Sequence, residues 1–122
     1  MNWQFSNDAP IYAQLIGQIR AGIVSGAFSP GERLPSVRDL AMEAGVNPNT
    51  VQRALADLER DGLVFSQRTA GRFVTGDVSM IENAKLRLAD QCVENFLSEM
   101  AKLGCGRDEV IALLQGRKEE EP

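Results

Sequence analysis

Apolar residues at Ile11, Leu15, Ile16, Ile19, Ile23 and Val24 recur at three- and four-residue steps, which predicts an amphipathic helix over 11–25. Gly17 and Gly22 lie inside it. Each costs about 1 kcal/mol relative to alanine, and close packing against a neighbour would explain that expense. Gly26, Pro30, Gly31 and Pro35 mark a turn-rich loop over Gly26–Pro35. Ser36 followed by Asp39 resembles a capping box and opens a second helix, with Leu40, Ala41 and Ala44 on its inner face and Gly45 at its end. Asn47 then caps a third helix, with Pro48 at the first helical position, where its missing N–H is harmless. Val51, Ala54, Leu55 and Leu58 form the buried stripe of that helix, and Gly62 closes it.

The period changes after Gly62. Leu63–Gln67 and Arg72–Thr75 are short, partly β-branched or aromatic runs flanking Arg68–Gly71, the pattern of a hairpin. Helical periodicity returns at Ser79 and Glu82, a second candidate capping box, and predicts a helix of about 25 residues, about 38 Å long. Gly104-Cys105-Gly106 breaks it, and Asp108 is placed to cap a shorter helix carrying Val110, Ile111, Leu113 and Leu114. Arg117–Pro122 have no apolar residue and are expected to fray. The predicted fold class is mainly α with a small β-hairpin. A winged helix-turn-helix domain over 1–77 is followed by a two-helix carboxy-terminal dimerisation unit over 78–122, ending in an acidic tail.

Composition narrows the function. Histidine is absent from the 122 residues, which removes the commonest general base and metal ligand. Cys92 and Cys105 make neither a disulfide framework nor a four-ligand zinc site. With no paired carboxylates in a recognisable pocket and no glycine-rich phosphate loop, no enzymatic activity, cofactor or metal is expected. No apolar run is long enough to span a bilayer, and Met1–Pro10 lack the pattern of an export signal, so the expected location is the cytoplasm, without membrane partners. The net charge of −4 is unevenly divided. Residues 1–75 balance seven arginines, and no lysine, against seven acids, whereas residues 76–122 set six bases against ten acids. Two parts with different tasks is the simplest interpretation.

Residues 34–74 carry the specific signal. Leu34-Pro35-Ser36-Val37-Arg38-Asp39-Leu40-Ala41, then Gly45-Val46-Asn47-Pro48-Asn49-Thr50-Val51-Gln52-Arg53-Ala54-Leu55, then Leu58-Glu59-Arg60-Asp61-Gly62-Leu63-Val64 resemble the GntR family of bacterial transcription regulators. Pro10-Ile11-Tyr12 and Ser25-Gly26-Ala27-Phe28-Ser29-Pro30-Gly31 fit the same family, and the short helical remainder resembles its YtrA subfamily. The resemblance implies that Arg38 reads a base at the edge of a half-site and that the wing, with Arg68, Gly71 and Arg72, lies along the minor groove or backbone. Members more often read Arg-Gly-x-Gly-Thr-Phe-Val in the wing, where this chain has Arg68-Thr69-Ala70-Gly71-Arg72-Phe73-Val74. The lost first glycine stiffens or reshapes the tip. The resemblance also implies repression, often of a neighbouring transporter operon.

The residues themselves suit this role. A recognition helix presents short polar groups at its amino end, backed by an apolar face. Asn47, Asn49, Thr50, Gln52 and Arg53 occupy that end. Asn47 is a cap first, and Thr50 covers the turn. Asn49 and Gln52 suit adenine edges or phosphates, and Arg53 a guanine or a phosphate. Arg20 and Arg60 are read as surface charges, and Arg33 as a loop charge with a phosphate contact as the alternative. The aromatics Trp3, Phe5, Tyr12, Phe28, Phe65 and Phe73 are read as core packing, as is Cys92, while Cys105 between two glycines is a weak candidate for a redox-sensitive thiol.

One recognition helix spans few base pairs and a neutral domain gains little from phosphate attraction, so tight binding calls for two copies. Leu88, Cys92 and Phe96 on one side of the long helix and Val93, Leu97 and Met100 beside it make a wide apolar face. With Ile111 and Leu114 of the last helix, it fits a homodimer on an inverted-repeat operator in double-stranded DNA. No convergent polar cluster names a small-molecule effector. The alternative is a winged helix used as a protein-interaction module without specific DNA binding, motivated by the neutral domain and the acidic carboxy-terminal half.

Overall fold

The computed structural model describes residues 1–117, so most of the expected Arg117–Pro122 tail, residues 118–122, lies outside the described part. The elements in order are α1 (Ile11–Ser25), α2 (Val37–Ala44), α3 (Pro48–Arg60), β1 (Val64–Gln67), β2 (Gly71–Val74), α4 (Val78–Lys102) and α5 (Arg107–Gln115). This is the winged helix-turn-helix with two further helices that the pattern predicts, mainly helical with one small antiparallel sheet.

The caps explain the helix-turn-helix. The Ser36 hydroxyl accepts from the Asp39 N–H at 3.1 Å and starts α2. Gly45, at φ +69°, ends that helix in the left-handed conformation. The Asn47 side chain accepts from the Asn49 N–H at 2.8 Å, with Pro48 as the first residue of α3. Two later caps differ from expectation. Asp77, not Ser79, takes the α4 N-cap role, its Oδ1 accepting from the Met80 N–H at 3.1 Å. Gly106 precedes α5 without a side-chain cap, and Asp108 lies inside the first turn, where a carboxylate favours the positive end of the helix dipole.

The hairpin pairs Val64 with Val74 through Gln67 with Gly71, so Gly71 belongs to β2 and the tip is Arg68-Thr69-Ala70. The preceding loop is more than a connection. Val74 donates to the Glu32 carbonyl and Leu34 to the Arg72 carbonyl, both at 2.8 Å, with an isolated bridge between Arg33 and Phe73. Residues 31–34 thereby cover the second edge of β2, leaving fewer backbone groups open to unwanted pairing.

The chain divides into compact units at Met1–Lys85 and Leu86–Pro122. The division falls after residue 85 rather than 77 because Ile81 and Ala84, from the first turns of α4, are buried in the winged-helix core. That core joins Leu15, Ile19 and Ile23 of α1 to Leu40 of α2, Leu55 and Leu58 of α3, and Val64 and Val74 of the wing. Gly22 is needed there, since a Cβ would meet the Phe28 ring at 2.9 Å. Nothing in the structure explains Gly17. The amino-terminal segment docks on the same core through Trp3 and Phe5, and Trp3 Nε1 donates to Glu43 on α2 at 3.2 Å.

In the second unit burial is sparse. Val110 is its only buried hydrophobic among the described residues. Cys92 is exposed, contrary to its reading as a core residue, because the wide apolar face of α4 is left uncovered there among the described residues. Val93, Phe96, Ile111 and Leu114 are also exposed, while Leu88, Leu97 and Met100 are half-buried. No helix among the described residues is long and apolar enough to cross a membrane.

Candidate nucleic-acid interface

The amino end of α3 projects Asn47, Asn49, Gln52 and Arg53 to the surface, while Thr50 is half-buried against the turn. The buried stripe Val51, Ala54, Leu55 and Leu58 holds the helix from behind, so the polar positions cannot rotate inward without exposing it. Arg38, the second residue of α2, and Arg68, at the wing tip, are exposed as well.

Pairing separates the seven arginines of this unit into two groups. Arg20 is bound to Asp61 at 2.6 Å, Arg60 to Asp57 and Arg72 to Glu59 at 2.8 Å. Arg20 and Arg60, expected to be solvated charges, thus close ion pairs across and along helices. Arg33, Arg38, Arg53 and Arg68 have no acidic partner among the described residues. Formal neutrality therefore conceals four uncompensated guanidinium groups, on the loop before α2, on α2, on α3 and on the wing.

Arg72 is not the free cation that the absence of an acid between Ser66 and Thr75 suggests. Its Nε donates to Glu59 Oε1, and its Nη1 reaches Gln52 Oε1 at 3.5 Å. The Ser66 hydroxyl donates to the same Glu59 oxygen. The Ser66 bond, opposed by partial burial and reinforced by Arg72, holds the Glu59 carboxyl below the usual glutamate range. The wing is thereby tied to the recognition helix through side chains of both strands. Sequence spacing contained a signal for this: Gln52 and Glu59 are seven residues apart and share a face of α3.

Two further residues take roles other than those the sequence suggests, which are a loop charge for Arg33 and core packing for Tyr12. Arg33 lies across the base of the wing, its Nε 3.2 Å from the place a Cβ on Gly71 would occupy. Gly71 itself sits at φ +104°, a backbone conformation that favours glycine, and an added Cβ would also press on the Arg33 side chain. Tyr12, in the first turn of α1, lies beneath Arg53, whose guanidinium carbon is 4.0 Å from the ring centroid. Of the aromatics read as core, Phe65 is instead 40% exposed and stacks across the strands on Phe73, with ring centroids 5.6 Å apart. In the second unit, the neighbouring Glu109 carboxylate raises the pKa of the Cys105 thiol, which disfavours the reactive thiolate.

Comparison with known proteins agrees with this geometry. The model of bacterial regulatory proteins of the gntR family matches residues 11–74. YhcF, an uncharacterized HTH-type transcriptional regulator of Bacillus subtilis, is 36% identical over 111 residues, covering 91% of this chain and 92% of YhcF. The B. subtilis HTH-type transcriptional repressor YtrA is 39% identical over 84 residues, 69% of this chain and 60% of YtrA. The solved structure of a GntR family transcriptional regulator from Listeria monocytogenes matches with a TM-score of 0.86 at 39% identity, covering 93% of this chain and all of that one. The DNA-binding domain of AraR, solved in complex with an operator, matches with a TM-score of 0.57 at 29% identity over 62% of this chain and 96% of that one.

Proposed function

The chain belongs to the GntR family of bacterial regulatory proteins, and from that premise we propose that it is a DNA-binding transcriptional repressor acting as a homodimer on an inverted-repeat operator. One observation carries the proposal: an exposed, capped amino end of α3 bearing Asn49, Gln52 and Arg53, accompanied by uncompensated arginines on α2, the wing and the adjoining loop. Arg38 and Arg53 take base edges or phosphates, Asn49 and Gln52 read beside them, and Asn47 and Thr50 set the helix start against the backbone. Arg68 and Gly71 bring the wing to the groove, and Arg72 orients it. AraR bound to its operator supports the same use of this fold.

The homodimer rests on the second unit. Phe96 is 42% exposed, Val93 52%, Ile111 43% and Leu114 56%, a density of exposed apolar side chains expected at an interface. A second copy covering this face would bring two recognition helices to two half-sites one helical turn or more apart. The family resemblance extends the proposal to a neighbouring transporter operon as target, with repression by exclusion of polymerase.

Selection of duplexes from a randomised pool, followed by titration at several salt concentrations, tests the reading. A palindromic consensus bound with a steep loss of affinity on adding salt is expected. Salt-insensitive binding without sequence preference would favour a protein-interaction module instead. Light scattering that finds a monomer at micromolar concentration refutes the dimer.

A further inference from the structure

Arg53 and Arg72 are both arginines at the α3 surface, yet they are held in opposite ways. The Arg72 guanidinium meets a carboxylate, which cancels its charge and uses its Nε donor. The Arg53 guanidinium rests on the Tyr12 ring and makes no hydrogen bond or ion pair among the described residues. An aromatic face restrains a guanidinium while leaving its charge and all five N–H donors unspent. Tyr12 is itself partly buried against the core, through the packing of α1 on α3, so the ring is a fixed support.

We infer that Tyr12 is a positioning residue for DNA recognition: it pre-orders Arg53, so that the guanidinium meets the operator with its rotamers already restricted. The inference rests on the DNA-binding function proposed above. An unsupported arginine surrenders its rotamer freedom on binding, whereas one stacked in the free protein has surrendered part of it on folding. The contribution should equal that of an exposed cation–π contact, about two- to fivefold in affinity.

The test is a double-mutant cycle on the full chain, with a fluorescein-labelled duplex enriched by the wild-type protein from a randomised pool. Tyr12→Leu keeps an apolar group against the core and removes the ring, and Tyr12→Phe keeps the ring and removes the hydroxyl. Tyr12→Met replaces Tyr12→Leu if thermal melting shows the latter unfolded. Tyr12→Leu is expected to weaken binding about two- to fivefold in the wild-type background and to add nothing to Arg53→Ala. Tyr12→Phe should stay close to wild type. Equal losses in both backgrounds, no loss at all, or a Tyr12→Phe variant as weak as Tyr12→Leu overturns the inference. Failure to enrich any duplex refutes the DNA-binding proposal itself. Enrichment followed by an Arg53→Ala variant of undiminished affinity leaves that proposal standing and removes this one.

Discussion

Glu59→Gln tests how the wing is fixed. The substitution keeps the shape of the side chain and removes the charge that Arg72 and Ser66 address. The Arg72 and Glu59 side chains are 20% and 30% exposed, so the pair lies between a solvated surface pair and a buried one. Exposed pairs contribute about 0–1 kcal/mol, and hydrogen bonds to charged groups about 1.5–3 kcal/mol. A loss of about 1–2 kcal/mol follows, and each kcal/mol lowers the melting temperature of a domain this size by about 4–8 °C. The sign with pH is fixed by Glu59 having its carboxyl held low in the folded chain. Its stabilisation is complete above the unfolded value, about 4.3, and disappears as acid passes the lower folded value. Wild type and variant should therefore converge in stability once the pH falls below the lowered folded-state value of Glu59. The freed Arg72 becomes a fifth uncompensated cation. It should steepen the salt dependence on non-operator duplex by about one unit of slope and reduce discrimination in favour of operator. Circular dichroism melts and anisotropy titrations measure both effects. An unchanged melting temperature together with an unchanged slope refutes the reasoning.

Three further outcomes are expected. Arg38→Ala should cost about 1–3 kcal/mol in operator binding and relax preference at one base pair, read by titrating single-substituted duplexes. Thr69 holds φ +67° at the wing tip, a left-handed conformation costly for a β-branched residue, so Thr69→Gly should stabilise by about 1 kcal/mol in a urea titration. Gly17→Ala should stabilise α1 by about 0.5–1 kcal/mol, whereas Gly22→Ala should destabilise the chain because its Cβ would collide with Phe28. Denaturation midpoints of the pair, moving in opposite directions, check the packing.

The helix-turn-helix was legible because its boundaries are written in local chemistry. Ser36, Gly45, Asn47 and Pro48 each act on their own backbone neighbours, and the structure uses all four as the sequence implies. What escaped was settled by partners distant in sequence or by competition between near-equivalent neighbours. Asp77 and Ser79 are both able to cap, and Asp77 takes the position. The pairing of 31–34 with β2 uses backbone groups, which leave no side-chain signature. Glu59 with Arg72 and Tyr12 with Arg53 bridge 13 and 41 positions of the chain, so each required knowing which helix faces meet. The family pattern brought out Arg38, Gln52 and Arg53 but said nothing of what supports them. The exposed Cys92 shows the opposite limit: an apolar stripe identifies a surface to be covered, not the molecule that covers it.

The tally of compensated and uncompensated arginines bears on how such a protein searches a chromosome. Every cation added to a DNA reader strengthens its hold on the vast excess of irrelevant sequence as well as on its target. By neutralising three of the seven arginines in residues 1–85 internally, a protein with the proposed function would keep its grip on random duplex weak. Fewer molecules of such a repressor would then be sequestered away from its promoter, and a small number of copies per cell would suffice to keep it occupied.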